Sequence, residues 1–195
     1  MQKSAIDRIR AAAIELFTEK GYAATATREI CERARVTKPA LYYHFEDKEH
    51  LYRELVLGAW EGMFQELSAA AQRGKCARER LVNVLSADFA LTVREPDIAA
   101  MHFRMIFAPR HESSGLDMVQ VGLDMVKLLA GIARDGVQKG ELHGRPREIA
   151  EAILGIHLIY TMSFLLTGRP NLDRRLARRI VNLLWKGCVN HLKDR

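Results

Sequence analysis

The chain has 195 residues, is 48% hydrophobic and carries a formal net charge of +6. That suits a small module plus one larger domain, with enough apolar content for a buried core. The charge is uneven: residues 1–52 are net +1, residues 53–168 net −1 and residues 169–195 net +6, so overall basicity is weak evidence for a nucleic-acid partner and excludes little by itself.

The first residues are amphipathic and charged, so no signal peptide is expected. The longest nearly apolar run, 152–166, is shorter than the roughly 20 residues of a membrane span and contains His157. Cys31, Cys76 and Cys188 are far apart and odd in number, as in a reducing compartment. These features predict a soluble cytoplasmic protein.

In chain order, all the hydrophobic periodicity is helical, and no alternating run reads as a strand. Residues 4–20 place Ile6, Ile9, Ala13, Leu16 and Phe17 on one stripe, and Gly21 stops that helix. Two short helices follow at 27–34 and 38–44. A long helix opens near Asp47 and ends around Gly74. Residues 77–94 form the next, with Leu81, Val84, Leu85, Phe89 and Val93 inward, and Pro96 breaks it.

Residues 97–107 are a short helix rich in Met and Phe, and 109–115 a loop. The helix 116–138 carries a short repeat, GLDMVQV–GLDMVKL, too brief for a coiled coil, and is closed by Gly140. Helices 147–167 and 173–192 end the chain.

Residues 25–51 hold the chemistry. Ile30 and Ala34 share a face of the first short helix, and Val36 plugs the turn. Thr37 caps the second short helix, with Pro39 in its first turn, where an N–H has no helical partner. Leu41 and Phe45 lie i, i+4 and face inward. Pro39, Ala40 and Tyr43 therefore point outward, flanked by Tyr42 and His44.

Tyr and His side chains reach phosphate oxygens, and the rings and the Ala40 methyl can meet thymine methyls. Lys38 and Lys48 bracket this helix as phosphate clamps. Thr25 and Thr27 sit where the preceding helix begins, a place that favours phosphate.

This stretch resembles the DNA-binding domain of the tetracycline-repressor (TetR) family. The pattern runs from Gly21-Tyr22 through Thr27-Arg28-Glu29-Ile30 and Val36-Thr37-Lys38 to Leu41-Tyr42-Tyr43-His44-Phe45 and Lys48-Glu49-x-Leu51. It covers about residues 4–52; beyond it the likeness lies in helical layout and in Gly136-Val-Gln-Lys-Gly-Glu-Leu. Thr27, Lys38, Pro39, Ala40, Tyr42, Tyr43, His44 and Lys48 occupy DNA-contacting positions by this resemblance, and Thr37 joins them at the turn.

Two residues depart from the pattern. Arg35 stands at a turn position often filled by Gly, where a left-handed backbone is uncomfortable and a phosphate contact is gained. Ala26 replaces the Ser or Thr of a capping box with Glu29, which leaves the cap to Thr25.

The resemblance implies an all-α protein: an N-terminal three-helix helix-turn-helix domain, 1–46, and a larger helical effector-binding and dimerisation domain, 47–195. It implies a homodimer on a near-palindromic double-stranded operator, and a small-molecule pocket between the central helices. Trp60, Phe64, Phe89 and Met101 are candidate walls, with Phe103, Met105, Phe107 and Met125, because Met and aromatics make adaptable apolar linings. Phe164 joins them, as do the polar His157, Tyr160 and Thr161; plain core packing is the competing reading for these groups.

The last two helices are apolar enough for a two-fold four-helix seam, with Ile153 and Ile156 on one and Leu176, Ile180, Leu184 and Trp185 on the other. Arg174, Arg175, Arg178 and Arg179 read as a solvated face beside it.

No metal or cofactor is expected: His111-Glu112 lacks ligand spacing, and no nucleophile elbow, P-loop or zinc-binding helix motif appears. The reading is therefore a ligand-responsive transcriptional repressor and not an enzyme. Its alternative is a helical ligand-binding protein whose helix-turn-helix no longer binds DNA.

Overall fold

The computed structural model describes residues 4–107 and 118–189, with side chains for all of these except 104–107, 118, 119 and 186–189. The loop expected at 109–115, with His111 and Glu112, lies outside them, as do the side chains of Met105, Phe107 and Cys188.

In chain order the described helices are α1 (Ala5–Ala24), α2 (Thr27–Ala34), α3 (Lys38–His44), α4 (Lys48–Ala71) and α5 (Ala77–Arg94), then α6 (Pro96–Phe107), α7 (Met118–Gln138), α8 (Pro146–Thr167) and α9 (Arg174–Val189). Packing divides the chain into two compact units, Met1–Glu61 with Glu95–Met118, and Gly62–Arg94 with Val119–Arg195.

In the first unit, Ser4 caps α1: its hydroxyl oxygen accepts from the Asp7 N–H at 3.2 Å, while the Asp7 carboxylate accepts from the Ser4 N–H at 3.3 Å. The helix breaks at Gly21 (φ 82, ψ 171), where the sequence places its stop, and one further turn follows. Ile9, Ala13, Leu16 and Phe17 of α1 pack with Ile30 and Ala34 of α2 and with Leu41 and Phe45 at α3.

That core continues through Leu51, Tyr52, Leu55 and Val56 of α4 and takes in Met101 of α6. Packing thus runs past the expected boundary after residue 46, because three short helices cannot cover their own apolar faces. Met101, expected in an effector pocket, is 1% exposed within this core.

In the second unit, α5 packs on α8 and α9. Leu81, Val84, Leu85 and Phe89 face inward as the periodicity predicts. Val93 does not: it is 49% exposed, and Thr92 is buried in its place. Gly136 of α7 allows a close approach, since a Cβ there would lie 2.7 Å from the Ala77 Cβ.

Ile153, Leu176 and Ile180, expected at a dimer seam, are each at most 3% exposed and belong to the core of this unit. α9 turns its narrow stripe against α5, so those side chains are spent within the chain.

The helix around the apolar run 152–166 is longer than the run. At 22 residues with a mean hydropathy of 1.8 over its most apolar stretch, α8 meets the length and composition of a membrane span. Its inner face carries Ile149, Ala150, Ile153, His157 and Thr161 into the core, and 28% of that apolar stretch is buried within the single chain.

Candidate functional site

Two places gather functional chemistry, one in each unit. The first is α2, its turn and α3. Ala26 begins α2 with no side-chain cap of its own. Glu29 supplies half of a capping box by accepting from the Ala26 N–H at 2.9 Å.

Thr25 does not cap α2, as the sequence suggests. It is 1% exposed and its hydroxyl donates back to the Gly21 carbonyl at 2.7 Å, tying down the end of α1. That hydroxyl is out of reach of an external phosphate. Thr27, half-buried in the first turn of α2, keeps the position expected of it.

Arg35 ends α2 in the left-handed region, at φ 53 and ψ 52, and the Val36 N–H donates to the Cys31 carbonyl at 3.0 Å. A residue with a Cβ costs about 1 kcal/mol in that conformation. Arg35→Gly is therefore expected to raise stability by somewhat under about 1 kcal/mol, after the added freedom of the unfolded glycine is subtracted. A denaturant midpoint measured for both proteins checks this; a lower midpoint for the glycine variant contradicts it.

Thr37 caps α3, accepting from the Ala40 N–H at 3.4 Å. Leu41 and Phe45 are 0% and 1% exposed and hold α3 against the unit. The opposite face then points to solvent by helix geometry: Lys38, Pro39, Tyr42 and Tyr43 are exposed, Ala40 and His44 partly so. Tyr43 is 86% exposed, and its ring meets His44 edge-on at 5.0 Å.

The other cations of this region are largely engaged. Arg28 pairs with Glu32 at 2.7 Å, and Arg33 with Glu19 at 2.8 Å. Lys48, expected as a phosphate clamp, donates to the Tyr22 and Thr25 carbonyls, each at 2.9 Å, and lies 4.3 Å from the centre of the Tyr22 ring. Burial pulls its ammonium below the usual lysine value. Two of its three N–H groups thus fasten the end of α1. Exposed Lys38 and Arg35 flank the turn.

The second place is inside the second unit. His157 of α8 faces Asp88 of α5, with Nε2 2.5 Å from Oδ2, and both are buried. The Thr161 hydroxyl lies 3.2 Å from the same nitrogen, and Phe89 stacks on the ring at 5.2 Å. A cavity of about 10 Å³ adjoins them, lined by Met125 and aliphatic residues of α5, α7 and α8. A larger cleft of about 200 Å³ at the start of α5 is polar, and its Arg80–Asp135 pair at 2.7 Å is already satisfied.

Of the expected effector walls, Met125 and His157 line the cavity, and Phe89 and Thr161 touch His157. Phe64, Tyr160 and Phe164 belong to this unit and are partly buried, but are not among its lining. Trp60 and Phe103 belong to the first unit. Asp88 was missed by sequence reasoning. The signal was there: a carboxylate on the apolar stripe of α5, i+4 from Val84.

Apolar side chains are also left outside. On α8, Ile159 is 61%, Met162 37% and Leu166 76% exposed; on α9, Leu183 is 70% exposed. Ile156, Leu184 and Trp185, expected at a dimer seam, are partly exposed.

Comparison with known proteins places this geometry. Residues 9–55 match the model of the family described as bacterial regulatory proteins, tetR family. The chain is similar to the HTH-type transcriptional regulator QacR of Staphylococcus aureus, at 40% identity over 44% of this chain and 45% of that protein. This alignment therefore spans less than half the length of that relative.

A longer likeness is to the HTH-type transcriptional activator FasR of Mycolicibacterium smegmatis, at 27% identity over 90% of this chain and 79% of that one. In fold, the chain is similar to the transcriptional regulator FadR of Bacillus subtilis, solved in complex with stearoyl-CoA. The TM-score is 0.79 at 20% identity, over 93% of this chain and 98% of that one.

Proposed function

We propose, from the premise that this chain belongs to the tetR family of bacterial regulatory proteins, that it binds an operator in double-stranded DNA and regulates transcription from it. The observation that carries this reading is α3: a helix anchored by Leu41 and Phe45 whose outward face is Lys38, Pro39, Ala40, Tyr42, Tyr43 and His44. Such a face enters a major groove, where rings and methyls meet base edges and cations meet phosphates.

Two copies present two such helices, so the operator is near-palindromic. The exposed apolar side chains of α8 and α9 support a homodimer formed there. An apolar effector enters the second unit between α5, α7 and α8 and favours a conformer that releases DNA, which makes the protein a repressor. The effector shifts the equilibrium only by its differential affinity for the two conformers. Helix α4 runs from the DNA-reading end of the chain into the second unit and acts as the lever. The site of action is the cytoplasm, where the operator is.

The test is a mobility shift on DNA upstream of the protein's own gene, across a salt series. Lys38→Ala is expected to weaken binding to every sequence and to reduce the salt slope by about 0.9. Tyr43→Ala is expected to weaken specific binding about tenfold with the slope unchanged. If neither variant changes binding, α3 is not the reading helix. The inward commitment of Thr25 and Lys48 favours a second reading, a helical ligand-binding protein without DNA affinity; absence of any shift with the unmodified protein would establish it.

A further inference from the structure

His157 is 6% exposed, and its Nδ1 is the one buried side-chain polar atom, among the described residues, without a hydrogen-bond partner. An orphaned buried group of this kind costs about as much as a lost hydrogen bond, so a ligand atom that met it would gain correspondingly. The residue also lines the small cavity between α5, α7 and α8.

The chemistry of the missing partner follows from charge. Asp88 and His157 are the ionisable groups lining the cavity, and its other walls are Val84, Leu85, Met125, Leu129, Ile153 and Leu154. A lone carboxylate in such surroundings is costly, so the pair is held electrically neutral. With one hydrogen lying along the short Nε2–Oδ2 contact and the other Asp88 oxygen bare, neutrality has two forms. In one, a cationic His157 donates from Nε2–H to the Asp88 carboxylate, and Nδ1 also bears hydrogen. In the other, a protonated Asp88 donates to a bare Nε2, and the single ring hydrogen sits on Nδ1. Either way Nδ1–H is a donor.

We infer that this donor is the polar anchor of the effector, and that the effector is an uncharged apolar molecule bearing a carbonyl oxygen: a ketone, ester or thioester. This deepens the proposed regulator and rests on its reading of the second unit as the effector domain. A carboxylate would place a net negative charge beside Asp88, an ammonium would present only donors to a donor, and a hydrocarbon would leave Nδ1–H unmet. The cavity, about 10 Å³, holds no more than a single water, so the walls part on entry. Met125 is the adaptable member of those walls.

The probe is methyl hexyl ketone, compared with the isostere in which a methylene replaces the carbonyl oxygen. Both are titrated calorimetrically into the full chain and into the Asp88→Leu/His157→Phe double variant, in which an apolar pair replaces the polar one. The ketone-to-alkene affinity ratio is expected to fall about tenfold in the variant, the worth of one well-made buried hydrogen bond. An unchanged ratio, or no ketone binding by the unmodified protein, overturns the inference.

A second measurement does not depend on the variant folding. With isotope-labelled histidine in the unmodified protein, the Nδ1–H resonance of His157 is expected to move downfield with the ketone and not with the alkene. Equal responses also overturn it. Neither readout contains DNA. A protein that takes the ketone but never binds an operator fails the regulator reading and keeps the site, and one that binds DNA while treating both probes alike does the reverse.

Discussion

His157→Ala is expected to destabilise the second unit by about 3–5 kcal/mol, because it leaves the buried Asp88 carboxyl group without its partner. It also removes the ring stacked on Phe89. Urea unfolding followed by circular dichroism reads the loss. The double variant Asp88→Leu/His157→Phe is expected to recover all or most of it, since an apolar pair of similar bulk often matches a buried ion pair. The recovery separates the cost of an orphaned carboxyl group from the worth of the pair. If the single variant loses less than about 1 kcal/mol, water already reaches Asp88 and the cluster is not a sealed site.

Leu166→Glu is expected to convert the proposed homodimer into a monomer and to lower its affinity for the proposed operator about a hundredfold. Leu166 is 76% exposed in the single chain, so a carboxylate there leaves the fold intact. Across a two-fold interface it loses its water and comes near its own copy. The fall in DNA binding follows because two linked heads bind far more tightly than either alone. Sedimentation and a mobility shift on the same preparation check both parts. A variant that still sediments as a dimer moves the interface away from this end of α8, and an unmodified protein that is monomeric removes the proposed two-fold operator.

The helices and the turn between α2 and α3 were legible because their signals are local. Caps, prolines, glycines and apolar spacing act within a few residues, and Gly21, Thr37, Pro39 and Pro96 each mark a boundary that the structure keeps. Arg35 was legible too: a turn that lacks its usual glycine still adopts the left-handed conformation, and the cost shows at that residue. The outward face of α3 followed from Leu41 and Phe45 alone, since two inward anchors i, i+4 fix the rotation of a short helix.

Other features depended on what each helix meets. Lys48 and Thr25 have the residue types of phosphate ligands, yet the end of α1 offers carbonyls closer than any external partner, and both turn inward. Ile153, Leu176 and Ile180 have the apolar spacing of an interface and are consumed by the core instead, leaving Ile159, Leu166 and Leu183 outside. Met101 illustrates the same point, since an adaptable side chain packs equally well in a core or a pocket.

By itself, then, the sequence determined the helices, the Thr37 cap of α3 and the face that α3 presents, all set by interactions between residues a turn or two apart. Only the tertiary structure decided which cations face solvent, which apolar stripe is left over, and that Asp88 meets His157. Those outcomes rest on how separate helices pack together, and the periodicity of one helix carries no information about which side chains its neighbours will bring.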